Sequence, residues 1–233
     1  MLPNSPDVEK VVLDPDGILA GARPGTIFVD MSSIAPLASR SLSEKLKEKG
    51  IVMIDAPVSG GEPKAIEGTL AIMAGGPEDA FNKVKDMLSA MGSSVKLVGD
   101  IGSGNVTKLA NQIIVALNIA AIGEAMVLAT KAGVDPEKVF QAIRGGLAGS
   151  TALEAKMPLI LNGNFKPGFR IELHIKDLMN ALDTARELNV SSVLTNKVLE
   201  IMQSLKDDGK AKDDHGGLVQ YYEKLANVEV RKV

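Results

Sequence analysis

One lysine sits near the start of a long apolar run. In Gly102-Ser103-Gly104-Asn105-Val106-Thr107-Lys108-Leu109-Ala110-Asn111-Gln112, a glycine-rich turn leads into a stretch whose only charge from Leu109 to Thr130 is Glu124. Residues three and four apart share a helix face. Lys108, Asn111 and Gln112 therefore make one polar patch on an otherwise apolar rod. Burying an ammonium is costly unless it is paired, so a lysine placed here needs a reason. Proton donation to a bound substrate is one.

Other candidates lie in short loops. Asp55-Ala56-Pro57-Val58-Ser59-Gly60-Gly61 offers a hydroxyl at Ser59. Its two glycines let backbone N–H groups approach an anion such as a small carboxylate. A simple tight turn accounts for the same residues equally well. In Asp30-Met31-Ser32-Ser33, Ser33 either contacts a ligand or caps the helix starting at Pro36, and capping is the commoner use. Lys176 and His174 fall in Phe169-Arg170-Ile171-Glu172-Leu173-His174-Ile175-Lys176-Asp177-Leu178. A solvated lysine and a structural histidine are the ordinary readings. The glycines before Lys108 superficially resemble a phosphate loop, but no Gly-Lys-Ser/Thr follows, which argues against a nucleotide triphosphatase. His174 and His215 are far apart in sequence and lack metal-ligand spacing, so no metal site is expected.

The elements that must position these residues change character along the chain. Ser5-Pro6-Asp7 reads as an N-cap, a proline at the first helical position and an acidic first turn. A strand at 26–31, a helix from Pro36 to Lys49 and a strand at 51–55 form a βαβ unit, which predicts parallel strands. Both strands end in an aspartate, Asp30 and Asp55, and ligands of open α/β sheets sit at the carboxyl ends of strands. A third strand at 70–74, a helix at 77–91 and a strand at 95–98 follow. From 105 to 132 a helix of about 40 Å is expected. Helices are then predicted from Asp135 to Gly145 and at 151–162, 171–188, 192–207 and 213–226. Thr151-x-x-Glu154 suggests a capping box. The fold class is thus α/β followed by all-α: an α/β part over 1–103, a long helix over 104–132, and an all-α part over 133–233.

Bulk composition excludes several classes. The 233 residues carry a net charge of -3, with 24% charged and 45% hydrophobic residues, and no cysteine. Disulfides and thiol chemistry are therefore excluded. No basic cluster with aromatic platforms appears, so nucleic acid is not an expected partner. Met1 to Ser5 has no signal-peptide pattern. Asn111, Gln112 and Asn118 interrupt the apolar run, so a buried helix is preferred to a membrane span. Cytoplasm is the default location.

Four segments in order, DMSSIAP, DAPVSGG, GSGNVTKLANQ and FRIELHIKDL, resemble the β-hydroxyacid dehydrogenase family, and the resemblance runs through essentially the whole chain. It implies a Rossmann-type domain joined by a long helix to an all-α domain. It also implies hydride transfer between NAD or NADP and a short β-hydroxy acid or semialdehyde. By position, Lys108 is then the general acid, and the base in reverse. Ser59, Gly60 and Gly61 hold the substrate carboxylate. Asn111 orients the substrate, with Gln112 as a second candidate. Leu2, Pro3 and Ser33 line the nicotinamide-ribose side, and Lys176 reaches the cofactor. A small-molecule substrate and a homo-oligomer, dimer or tetramer, are the expected partners.

The family opens with strand–GxGxxG–helix, and no G-x-G-x-x-G occurs in this sequence. Met1-Leu2-Pro3-Asn4 resembles the end of the family's fourth strand. The resemblance therefore implies an N-terminally truncated dinucleotide domain, shorter by about sixty residues than the family pattern. An unpaired apolar sheet edge is expected from that, with an unstable or self-associating chain. Two alternatives stay open: another hydroxy acid as substrate, or a catalytically impaired fragment that only binds or oligomerises.

Overall fold

The computed structural model describes residues 1–232. Helix α1 (Ser5–Leu13) begins with Asn4, not Ser5, as its N-cap, and Asp7 closes a capping box on the Asn4 N–H. The Ser5 hydroxyl is used elsewhere, accepting the Ala35 N–H at 3.2 Å. A short α2 (Ile18–Gly21) that sequence reading missed precedes β1 (Ile27–Asp30). Then come α3 (Pro36–Lys47), β2 (Val52–Asp55), β3 (Val58–Ser59), α4 (Gly61–Ile66), β4 (Ala71–Gly75), α5 (Glu78–Ser89) and β5 (Ser94–Gly99).

The expected βαβ unit forms: β1 and β2 are parallel, with Asp30 opposite Asp55. Beyond them the sheet is mixed. β4 runs antiparallel to β2 and β3, and parallel to β5. β2 and β3 oppose β4 in one unbroken register, Asp55 to Gly75, Val58 to Ile72 and Ser59 to Ala71. The chain from 55 to 59 thus follows a single edge of β4. β1 lies at the margin of the sheet, and among the described residues β2 is its only strand neighbour.

Strand alternation decides what each face buries. Ile51 and Met53 point to one side, where they meet Val8 and Val12 of α1 and Leu42 and Leu46 of α3. Ile54 points to the other, among Ile72, Ala74 and the α5 residues Ala80, Phe81 and Leu88. Helices therefore cover both faces, as an α/β sheet requires.

The rest is helical: α6 (Ser103–Lys131), α7 (Pro136–Ile143), α8 (Thr151–Leu161), α9 (Ile171–Glu187) and α10 (Val193–Leu205). Instead of one helix at 213–226, a π-helical turn at 206–210 broken by Gly209 (φ 83°) and a 3₁₀ turn at 215–218 precede α11 (Val219–Ala226). The cap of α8 is Ser150, whose hydroxyl accepts the Leu153 N–H at 3.0 Å. Glu154 pairs with Arg144 instead of closing a box on Thr151.

Two compact units result: 1–111 with 183–190, and 112–182 with 191–233. The division falls inside α6. In the helical unit, Ala116, Ile119 and Ala120 of α6 pack on Ile171, Ile175 and Leu178 of α9 and on Val198 and Met202 of α10. A second cluster joins Met126 and Val127 to Phe140, Met157 and Ile160. The helix is buried on one face only, however. Ile114 and Leu128 are 61% and 73% exposed, so the expected fully buried helix is corrected to a half-covered one.

Candidate active site

The start of α6 is the best-anchored point of the first unit. Gly102, just before the helix, has no side chain with which to cap it, so the cap comes from another element. Asp55, at the end of β2, is fully buried. Its Oδ1 accepts the Gly102 N–H and its Oδ2 accepts the Asn105 N–H, both at 2.7 Å. These are the residue before the helix and the third within it, the same two donors that a capping box satisfies. A carboxylate there also meets the positive end of the helix dipole. Asn105 extends the anchor. Its Oδ1 accepts the Ile34 N–H at 3.1 Å and its Nδ2 donates to Ser39 Oγ at 3.1 Å. The loop after β1, the end of β2 and the first turn of α6 are thereby tied together.

Two glycines make this approach possible. A Cβ on Gly104 would lie 2.6 Å from the Asp55 carbonyl oxygen, and one on Gly75 would lie 2.5 Å from Asp55 Oδ1. Burial pushes the Asp55 carboxyl up to about 6, against the pull of its two N–H donors, and the charge of Asp30 adds to the rise. Asp30 is raised by burial too, while its hydrogen bonds with Ser32 pull the other way.

Lys108 lies in the second turn of α6 and is 8% exposed. Asn111, one turn further, is half-buried. Ser59 ends β3, and Gly60 and Gly61 lead into α4 with φ of 138° and 69°. Both values favour glycine, and a Cβ on Gly60 would collide with Lys64 at 2.5 Å. The three residues fall at a strand end and a helix start, not in the open loop that the sequence suggested. Both glycines are exposed.

Ser33 lies in the loop that leaves β1, and Leu2, followed in sequence by Pro3, donates its N–H to Ser32 Oγ of that loop at 2.8 Å. Asp30 Oδ1 accepts the Ser32 N–H at 3.0 Å. Asp30 Oδ2 is buried and, among the described residues, has no hydrogen-bond partner. Hydroxyls and an open carboxylate oxygen at the carboxyl end of a parallel strand fit the ribose–nicotinamide end of a dinucleotide. The G-x-G-x-x-G that cradles a pyrophosphate does not occur in the sequence.

Gln112 and Lys176 belong to the second unit. Lys176 Nζ pairs with Asp177 Oδ1 at 2.9 Å, and Asp177 Oδ2 accepts from Gln112 Nε2 at 2.6 Å. Gln112 is thus engaged by a buried carboxylate that sequence reading did not single out. The histidines, distant in sequence, are in contact. His174 Nε2 donates to the Gln112 carbonyl at 3.1 Å, and the two Nδ1 atoms of His174 and His215 are 3.0 Å apart. Phe169 packs edge-on against both rings. Nearby, Asp214 accepts from Lys156 and from the N–H groups of Gly168, Phe169 and Gly216. Asp55, Asn105 and Asp177 are the residues that sequence reasoning missed in functional terms. The strand-ending aspartate was the visible signal for Asp55, but its partners lie 47 and 50 residues further on.

An α/β unit with its loops gathered at strand ends, followed by a helical unit, is the architecture of nicotinamide-dependent dehydrogenases, and both parts have counterparts of that kind. Residues 1–99 match the NAD binding domain of 6-phosphogluconate dehydrogenase, and residues 102–222 match the NAD-binding part of NADP-dependent 3-hydroxyisobutyrate dehydrogenase. The chain is 43% identical to 2-hydroxy-3-oxopropionate reductase of Escherichia coli (strain K12), over 97% of this chain and 78% of the relative. It is 37% identical to 2-(hydroxymethyl)glutarate dehydrogenase of Eubacterium barkeri, over 98% and 76%. The solved structure of Mycobacterium tuberculosis 3-hydroxyisobutyrate dehydrogenase with L-serine superposes with a TM-score of 0.87 at 31% identity, covering 95% of this chain and 77% of that one. The chain belongs to the β-hydroxyacid dehydrogenase family. Its class is therefore that of an NAD(P)-dependent oxidoreductase, with NAD or NADP as cofactor.

Proposed function

We propose that this chain carries the site of a reductase for tartronate semialdehyde, forming glycerate. One observation carries the chemistry: Lys108 is 8% exposed on a helix whose first turn is bonded to the loop after β1 and the end of β2. The 43% identity to a relative named for this reaction supports the substrate. The reduced cofactor, NADH or NADPH, would supply the hydride to the aldehyde carbon and leave as NAD or NADP. The aldehyde oxygen would then take a proton from the Lys108 ammonium. Ser59, Gly60 and Gly61 hold the substrate carboxylate, so the aldehyde is oriented before it is protonated. Asn111 orients the substrate beside Lys108. Gln112, bonded to Asp177, acts from a fixed position. Leu2, Pro3 and Ser33 line the nicotinamide-ribose side, and Lys176 reaches the cofactor.

A second reading has its own support. Relatives named for 2-(hydroxymethyl)glutarate and 3-hydroxyisobutyrate are also similar, which favours a neighbouring hydroxy acid or semialdehyde. Turnover measured with tartronate semialdehyde, methylmalonate semialdehyde and a longer semialdehyde, each with NADH and NADPH, separates the readings. The highest kcat/KM is expected on tartronate semialdehyde. Lys108→Ala is expected to lose turnover by at least about a hundredfold while cofactor titration stays unchanged. Near-normal turnover in that variant sinks the assignment. No NADH binding and no turnover in the unaltered chain would leave only a binding or oligomerising fragment.

The exposed apolar residues Ile114, Ala121 and Leu128, seven apart on α6, support a homo-oligomer in which a second copy covers them. We place the protein in the cytoplasm.

A further inference from the structure

We propose that Asp55 is the positioning residue for Lys108: its buried carboxylate fixes where α6 starts and how it is rotated, and so where the lysine stands. The inference rests on the reading of Lys108 as the proton donor. Four observations carry it. Gly102, at the head of α6, offers no capping side chain, and Asp55 takes both N–H groups that a local cap would take. Lys108 follows the anchored Asn105 by three residues, so the two share a face of the helix. Asn105 is braced separately by Ile34 and Ser39, which ties the anchor to the loop after β1. Finally, the carboxylate is enclosed: side chains on Gly75 or Gly104 would run into it, at 2.5 Å from Oδ1 and 2.9 Å from Oδ2.

The enclosure specifies aspartate. A glutamate would push its carboxylate into the backbone at Gly75 and Gly104. An asparagine would keep one acceptor but turn an N–H₂ toward the second N–H. In either case the first turn of α6 shifts, and the lysine shifts with it. A group that only stabilised the fold would not discriminate between Lys108 and other lysines.

The test compares the unaltered chain with Asp55→Asn, Asp55→Glu and Lys108→Ala. Folding is first checked by thermal melting. Lysines are then acylated with a limiting amine-reactive ester and quantified by peptide mass spectrometry. In folded Asp55→Asn the labelling of Lys108 is expected to change several-fold, while the exposed Lys64 and Lys96 keep their rates. kcat on the semialdehyde is expected to fall about a hundredfold, with the cofactor KM unchanged, and Asp55→Glu is expected not to rescue it. Unaltered Lys108 labelling in a folded Asp55→Asn protein overturns the proposal, as does full kcat in that variant when Lys108→Ala is inactive. Should Lys108→Ala stay active while the labelling shift appears, the reductase reading falls and the positioning by Asp55 stands. Should neither Asp55 variant fold, amide hydrogen exchange in the unaltered chain decides. Gly102 and Asn105 amides are expected in the slowest-exchanging class, and loop-like exchange at either removes the anchor.

Discussion

Two buried carboxylates, Asp30 and Asp55, stand side by side at the ends of parallel strands. Asp55 holds its proton more tightly when folded, up to about 6, because burial opposes its charge. A carboxyl raised on folding contributes stability that is fully present below its unfolded value, near ~4, and lost as pH rises through the folded one. Urea unfolding at several pH values is therefore expected to show stability falling between about pH 4 and pH 6.5, by up to roughly 3 kcal/mol from this group. Asp55→Asn should flatten that slope. Asp30 acts in the same direction. At the other loop, Ser59→Ala should mainly raise the substrate KM, with kcat within about threefold of the parent, since it removes one hydrogen bond of ground-state binding. Steady-state kinetics checks this. Sequence reading singled out Lys108, Ser59 and both strand-ending aspartates as candidates. It did not reach what Asp55 and Asp177 bind, because those partners come from other elements and no periodicity encodes them.

The helix is the scale at which the site is assembled. α6 is capped by a neighbouring strand, and Gly104 lets that strand come close. Gly104→Ala would drive a methyl into the backbone carbonyls of Met73 and Asp55, neither of which is the end of a flexible side chain. A loss of about 3 kcal/mol or more is expected, read as a lower melting temperature. Most elements were legible from apolar periodicity and punctuation, with ends shifted by a residue or two. The caps at Asn4 and Ser150 moved because neighbouring hydroxyl and amide groups compete for the same N–H donors. The break around Gly209 falls in the charged gap left between the expected helices at 192–207 and 213–226, whereas the 3₁₀ turn at 215–218 was not foreseen.

At the scale of the molecule, two of the exposed apolar surfaces bear on association. One is the free side of β1, whose Ile27, Phe28 and Val29 are only partly buried, in keeping with the edge expected from the sequence. Such an edge invites pairing with another chain. The other is the stripe on α6. Ile114→Asp is expected to shift the sedimentation of the protein toward monomer, whereas Lys138→Asp, at an exposed charge, should not. The α/β-then-α order was plain from the change of pattern after Gly104. The reversal of β4 was not, because a short strand reads the same in either direction.

The unbroken register from Asp55 to Ser59 along β4 has a consequence for how this scaffold can diversify. The anchor of α6 at Asp55 and the position of Ser59 are measured from one length of strand. Between the two halves of that ladder, residues 60–67 project into solvent with α4 at their centre. Exchanges at the exposed positions 62–67 are expected to leave the Asp55 anchor and the register along β4 in place.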